Sequence, residues 1–116
     1  MAEITDSPRI IDQTSQAEVI RLVREFLRIL YSQDIHIEAV YLYGSHAIGA
    51  ADADSDIDVA IVSPDLSGDR LQDWMRLTMT ATQVDLRFEV VGFRPEQFRD
   101  EHPLAWEIKT RGILVQ

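Results

Sequence analysis

Apolar positions between Ser15 and Gln33 recur at helical spacing: Val19, Ile20, Leu22, Val23, Phe26, Leu27, Ile29 and Leu30. This period predicts a long core-facing helix, and Ser15 with Glu18 three residues later supplies a capping box at its start. Residues 1–14 are polar, contain Pro8 and hold no sustained period. They are expected to form a flexible arm ahead of a single domain over residues 15–116. Ile37 to Tyr43 is β-branched and aromatic and ends at Gly44-Ser45, the pattern of a strand entering a tight turn. Small and acidic residues follow from Ala47 to Ser55, then Asp56-Ile57-Asp58-Val59-Ala60-Ile61-Val62 alternates at first and becomes wholly apolar, as a buried strand does. Ser63 to Asp69 reads as a loop, and Leu71, Trp74, Met75 and Leu77 predict a helix to about Thr82. Val84, Leu86, Phe88 and Val90 alternate with Asp85, Arg87 and Glu89, predicting a third strand that ends at Gly92. Pro95 and Pro103 suit first helical positions, so short helices are expected near 95–100 and 103–111, with Gly112 stopping the second before Ile113-Leu114-Val115. The order α-β-β-α-β-α-α, with room for a closing strand, is that of an α/β (α+β) domain.

At 116 residues the chain holds one hydrophobic core. Its 46% apolar and 27% charged residues are ordinary for a globular protein, and no apolar run reaches the roughly 20 residues that span a bilayer. The opening residues MAEITDSPRI lack the basic and apolar regions of a secretion signal, so a cytoplasmic location is expected. A net charge of −9 repels phosphate backbones and argues against long nucleic acid as a partner. With no cysteine there is neither a disulfide framework nor a thiolate metal site.

The chemistry concentrates in Gly44-Ser45, ten intervening residues, Asp56-x-Asp58, and a further acid at Asp85. Asp56 and Asp58 are two apart on a strand and share one face, while Ile57 and Val59 face the other layer. Carboxylates so close resist joint ionisation unless a cation compensates, so the pair is either a protonated dyad or a divalent-metal site. An all-oxygen donor set favours Mg²⁺ or Mn²⁺ over zinc. Asp85 falls on the polar side of the predicted third strand and completes a triad if that strand lies beside the second; Glu89 on the same side is its rival. Gly44 allows a ligand to approach the backbone closely, and Ser45 offers a hydroxyl and an N–H to phosphate oxygens. Asp52 and Asp54 read as solvated loop acids, and His36, His46 and His102 show no metal-ligand spacing. Trp74, Met75 and Leu77 read as core or interface rather than a platform for a base.

Taken in order, Tyr43-Gly44-Ser45-His46-Ala47-Ile48-Gly49, Asp54-Ser55-Asp56-Ile57-Asp58-Val59 and Val84-Asp85-Leu86 resemble the minimal nucleotidyltransferases of the DNA polymerase β-like superfamily. The resemblance runs from the first helix to Gly112-Ile113-Leu114-Val115. It implies a nucleotidyltransferase fold with a small mixed sheet packed against helices. It also implies an enzyme that uses two Mg²⁺ ions, or Mn²⁺, to move a nucleoside monophosphate from a triphosphate, AMP from ATP, to an acceptor hydroxyl. On this resemblance Asp56 and Asp58 hold the metals, Asp85 binds the catalytic metal and helps deprotonate the acceptor, and Gly44 and Ser45 hold the β- and γ-phosphates. Many relatives carry arginine where this chain has Ile48, and His46, Arg87 and Lys109 are the basic residues available to stand in for it. Minimal members of this size are typically paired with a small helical HEPN protein as antitoxin and toxin and add AMP to the toxin, so that partner is implied here, with a homo-oligomer also open. A charge of −9 is compatible with docking on a basic partner. The alternatives are an antitoxin that acts by binding alone and an enzyme with a small-molecule acceptor.

Overall fold

The computed structural model describes residues 2–116, with side chains from Gln16 onward. The chain forms α1 (Ala2–Ser32), β1 (Ala39–Tyr43), a 3₁₀ turn at Gly44–His46, β2 (Ile57–Val62), α2 (Arg70–Ala81), β3 (Phe88–Phe93), a 3₁₀ turn at Pro95–Gln97, α3 (Pro103–Arg111) and β4 (Ile113–Leu114). The sheet is four-stranded in the order β3-β2-β1-β4. β1 runs antiparallel to β2 and β4, whereas β2 and β3 are parallel and joined by the crossover through α2. The result is the small mixed sheet packed against helices that the resemblance implied.

The strand alternation sorts side chains into two layers. Val40, Leu42, Ile57, Val59, Ile61, Phe88 and Val90 point towards α1 and α2, where Val19, Val23, Phe26, Leu30, Leu77 and Ala81 are buried with them. Phe26 of α1 and Phe88 of β3 stand 5.5 Å apart, ring centre to ring centre. Burying each such large apolar side chain contributes about 1.5–3 kcal/mol, so this layer fixes the sheet on α1. On the other face Ala60, Val62 and Phe93 pack against Ala105 and Ile108 of α3. Covering on both faces explains why β2 is apolar from Val59 onward. Asp69 caps α2 by accepting from the Leu71 and Gln72 backbone N–H groups. Buried Asp73 draws the preceding loop onto α2, accepting from the Ser67 N–H and hydroxyl at 2.8 Å each and the Gly68 N–H at 3.0 Å.

Three predicted boundaries move. α1 begins at Ala2, upstream of the start expected at Ser15, and the side chains of residues 1–15, including the predicted Ser15 cap, lie outside the described ones. The expected arm over residues 1–14 therefore falls mostly where only backbone is described. The third strand begins at Phe88 rather than Val84, because the chain keeps turning after α2: the Val84 and Asp85 N–H groups donate back to Ala81 O at 2.9 and 3.1 Å. Leu86, which completes the apparent alternation, points to solvent at 84% exposure. The helix expected near 95–100 is a single 3₁₀ turn, since Phe98 leaves helical geometry to pack on Phe93 and Tyr41 at 5.1 and 5.4 Å between ring centres. The helix opened by Pro103 and the closing strand are present as read. No helix among the described residues is long and apolar enough to cross a membrane.

Candidate active site

One row of the sheet carries the polar chemistry. Tyr43 of β1 pairs in register with Asp58 of β2, and Asp58 pairs in register with Glu89 of β3. Strand alternation puts all three on the α3 side, opposite the layer that holds Ile57, Val59, Phe88 and Val90. α3 covers the next rows through Ala105 and Ile108, leaving this row at the open end of the layer. Asp56 stands immediately before β2, so its carboxylate joins the row. Burial, then the neighbouring Asp56 and Glu89 charges, push the Asp58 carboxyl up to about 6. Tyr43 is pushed up to about 12, chiefly by burial and then by Asp58, Glu89 and Glu107, and its phenol stays protonated.

The Gly44 turn closes one end of the row. Gly44 has φ +72°, and a Cβ built on it would lie 2.2 Å from Asp58 Oδ2. The Asp58 carboxylate therefore rests directly on the Gly44 backbone, a contact that only glycine permits. Ser45 follows in the same 3₁₀ turn, and its carbonyl accepts from the Ala50 N–H at 2.9 Å. His46 is buried, and its carbonyl accepts from Gln16 Nε2 at 2.9 Å, which fastens the turn to α1. Beside Gly44 a cavity of about 120 Å³ is lined by Tyr43, Gly44, Ile48, Glu107 and Arg111. Beyond Glu89, a groove of about 360 Å³ is lined by Arg70, Leu71, Trp74, Val91 and Gly92. Val91 is two residues along β3 from Glu89 and on the same face, so this groove abuts the row.

The structure brings together Gly44, Ser45, Asp56 and Asp58. It does not bring Asp85 to them. Asp85 lies in the turn before β3 and is engaged by Arg87: it accepts from Arg87 Nε at 3.0 Å, Nη2 at 3.1 Å and the Arg87 backbone N–H at 2.9 Å. These hydrogen bonds hold its carboxyl below the usual range. The expected strand position for Asp85 is thus corrected: the β3 residue in register with Asp58 is Glu89. Of the basic residues available in place of Ile48, two are engaged elsewhere and the third is enclosed. Arg87 additionally donates to Ala53 O at 3.1 Å, and Lys109 pairs with Asp100 at 3.0 Å and stands 4.8 Å from the Phe98 ring centre; His46 is buried, its Nε2 without a hydrogen-bond partner among the described residues. Arg111, at the end of α3, is the cation that lines the Gly44 cavity; no local motif marks it, because the fold alone brings it there. Trp74, read as core or interface, is 45% exposed along the groove. Asp52 stays in its loop as expected, accepting from the Asp54 N–H at 2.9 Å and Ser55 Oγ at 3.2 Å.

The donor chemistry of Asp56, Asp58 and Glu89 fits a hard divalent cation: the atoms are all carboxylate oxygens, and crowded like charge is the feature a cation relieves. Among the described residues no three acidic or histidine side chains already converge at liganding distance, so these carboxylates stand side by side rather than around one point.

Residues 25–116 match the family model described as polymerase beta, nucleotidyltransferase. Among solved structures the chain is similar to a candidate nucleotidyltransferase from Sulfolobus solfataricus, with TM-score 0.63 and 20% identity over 89% of this chain and 84% of that one. At that identity the likeness speaks for the fold. No curated protein matches the chain significantly.

Proposed function

The chain belongs to the polymerase β nucleotidyltransferase family, and we propose that its Asp56, Asp58 and Glu89 row transfers AMP from ATP to a hydroxyl of a partner protein. The observation that carries this reading is the position of Asp58. It rests on Gly44, beside the cavity that a triphosphate can enter, and it is the register partner of Glu89. Asp56, Asp58 and Glu89 would hold Mg²⁺ or Mn²⁺. Such ions stabilise negative charge on the attacking and leaving oxygens of an in-line displacement. Gly44 and Ser45 hold the β- and γ-phosphates. Glu89, the exposed end of the row, accepts the proton of the acceptor hydroxyl. The acceptor oxygen forms a bond to the α-phosphorus, the α–β bridging bond breaks, and pyrophosphate carries away the electron pair.

A protein acceptor is supported by the surface next to Glu89. Leu71 and Trp74 of α2 line the groove and are exposed, and Met75 and Met79 are exposed further along the same helix, an apolar surface of the kind that meets a partner. The net charge of −9 suits a basic one. The partner chemistry that fits is the small helical HEPN-type toxin implied by the resemblance, with this chain as its antitoxin. A second reading, neutralisation by binding alone, draws on Ile48, an apolar side chain 67% exposed at the phosphate-side cavity. Intact-mass measurement of a co-expressed partner separates the two. The enzyme reading predicts a partner heavier by AMP that reverts to its unmodified mass with Asp58→Asn; an unmodified partner neutralised equally by both proteins would establish the binding module instead.

A further inference from the structure

We infer that Arg111, in the last turn of α3, is the cation that holds the terminal phosphates of the triphosphate, an inference that rests on the nucleotidyl-transfer reading above. Among the described residues the cavity beside Gly44 has one basic lining group, Arg111, together with Tyr43, Ile48 and Glu107. A triphosphate entering there brings several negative charges next to Asp56, Asp58 and Glu89, so a basic partner is required for affinity. A guanidinium meets that need with two parallel hydrogen bonds to phosphate oxygens.

The other basic groups of this end of the molecule are occupied. Arg87 is paired with Asp85 and Lys109 with Asp100, and Arg70 is drawn to His102 Nε2 at 3.1 Å and the Phe93 ring at 5.9 Å, whereas among the described residues no carboxylate lies within 4.0 Å of Arg111. Arg111 is also held in place by its own helix. Ala105 and Ile108 of α3 are fully buried against the sheet, so the helix end is fixed relative to Gly44. Two consequences distinguish this role from a solvated surface charge. Glu107, one turn earlier on the same helix face and lining the same cavity, opposes an incoming phosphate. Position 48 lines the same cavity, so a cation introduced there by substitution reaches the same ligand.

The test is equilibrium binding of inorganic triphosphate and of a non-hydrolysable ATP analogue to the full chain, with and without Mg²⁺. Arg111→Ala is expected to weaken both ligands by about 10–100-fold, the equivalent of losing hydrogen bonds to a charged group. Glu107→Gln tightens both. Ile48→Arg, added to Arg111→Ala, restores most of the loss, which a misfolded variant does not allow. Wild-type binding left within twofold by Arg111→Ala overturns the inference while the nucleotidyl-transfer reading stands. Failure of the wild-type chain to bind either ligand overturns that reading, and the role of Arg111 with it.

Discussion

Asp58 and Glu89 are register partners across the parallel strands β2 and β3, while Asp85, four residues before Glu89, is held in a turn by Arg87. The two acids therefore separate by experiment. Glu89→Gln is expected to lower kcat/KM for nucleotidyl transfer by at least about 100-fold, the lower end of a lost general base. Asp85→Asn is expected to leave it within about threefold of wild type, because its carboxylate serves an ion pair outside the row. Initial rates with α-labelled ATP measure both, and the reverse order of sensitivity would return Asp85 to the site.

Gly44→Ala tests the contact between the turn and Asp58. A left-handed backbone costs a residue with a Cβ about 1–2 kcal/mol, and the new methyl must displace the Asp58 carboxylate. Urea unfolding measures the first effect and binding of the ATP analogue the second. Binding is expected to fall by more than the stability loss accounts for; unchanged binding would mean that the contact does not position Asp58 for the ligand.

The same two layers show what the sequence made legible. The Gly44-Ser45 turn, the Asp56-x-Asp58 edge and the buried run from Val59 to Val62 are local patterns, and the apolar run is plain because helices cover β2 on both faces. Asp85 falls outside the strand its pattern predicts because Leu86 mimics an inward strand residue while standing in solvent, and because the Asp85–Arg87 pairing is a turn contact that an alternating pattern does not reveal. Glu89 was legible as a rival, and only the parallel register with β2 selects it. Arg111 carries no sequence signal at all: it reaches Gly44 because α3 crosses the face of β1 and β2, a relationship between distant segments.

Asp85 and Asp58 predict opposite dependences of stability on pH in metal-free protein. The Asp85 carboxyl is held low by Arg87, so its contribution is fully present above the unfolded value of about 4 and is lost as pH falls through its folded value. Asp85→Asn is expected to cost about 0.5–1 kcal/mol at pH 7 and progressively less below pH 4. Asp58 is raised to about 6 by burial, Asp56 and Glu89, so the folded state holds its proton more tightly and stability declines as pH rises from about 4 to about 6. Asp58→Asn is therefore expected to stabilise the metal-free protein above pH 6, with the gain vanishing near pH 4. Thermal unfolding across this range reads both curves; a destabilised Asp58→Asn at pH 7 would contradict the crowding of charge in the row.

Gly92, at the groove but turned towards Leu66 and Leu77 of the other layer, separates packing from the triphosphate cavity. A Cβ there would stand 2.8 Å from both Leu66 Cδ1 and Leu77 Cδ1, so Gly92→Ala overpacks the β3–α2 contact by about 1–3 kcal/mol. Urea unfolding is expected to show that loss with triphosphate affinity unchanged. Equal loss of both would tie the binding site to the packing of α2.

The most direct measurement is transfer from doubly labelled ATP, with one label on the α-phosphate and a second on the γ-phosphate, in the presence of Mg²⁺ and the co-purified partner. The account predicts the α-label on the partner and the γ-label released in pyrophosphate, with both events abolished by Asp56→Asn/Asp58→Asn. Transfer that persists in the double variant, or γ-label on the partner, would contradict nucleotidyl transfer by this row of carboxylates.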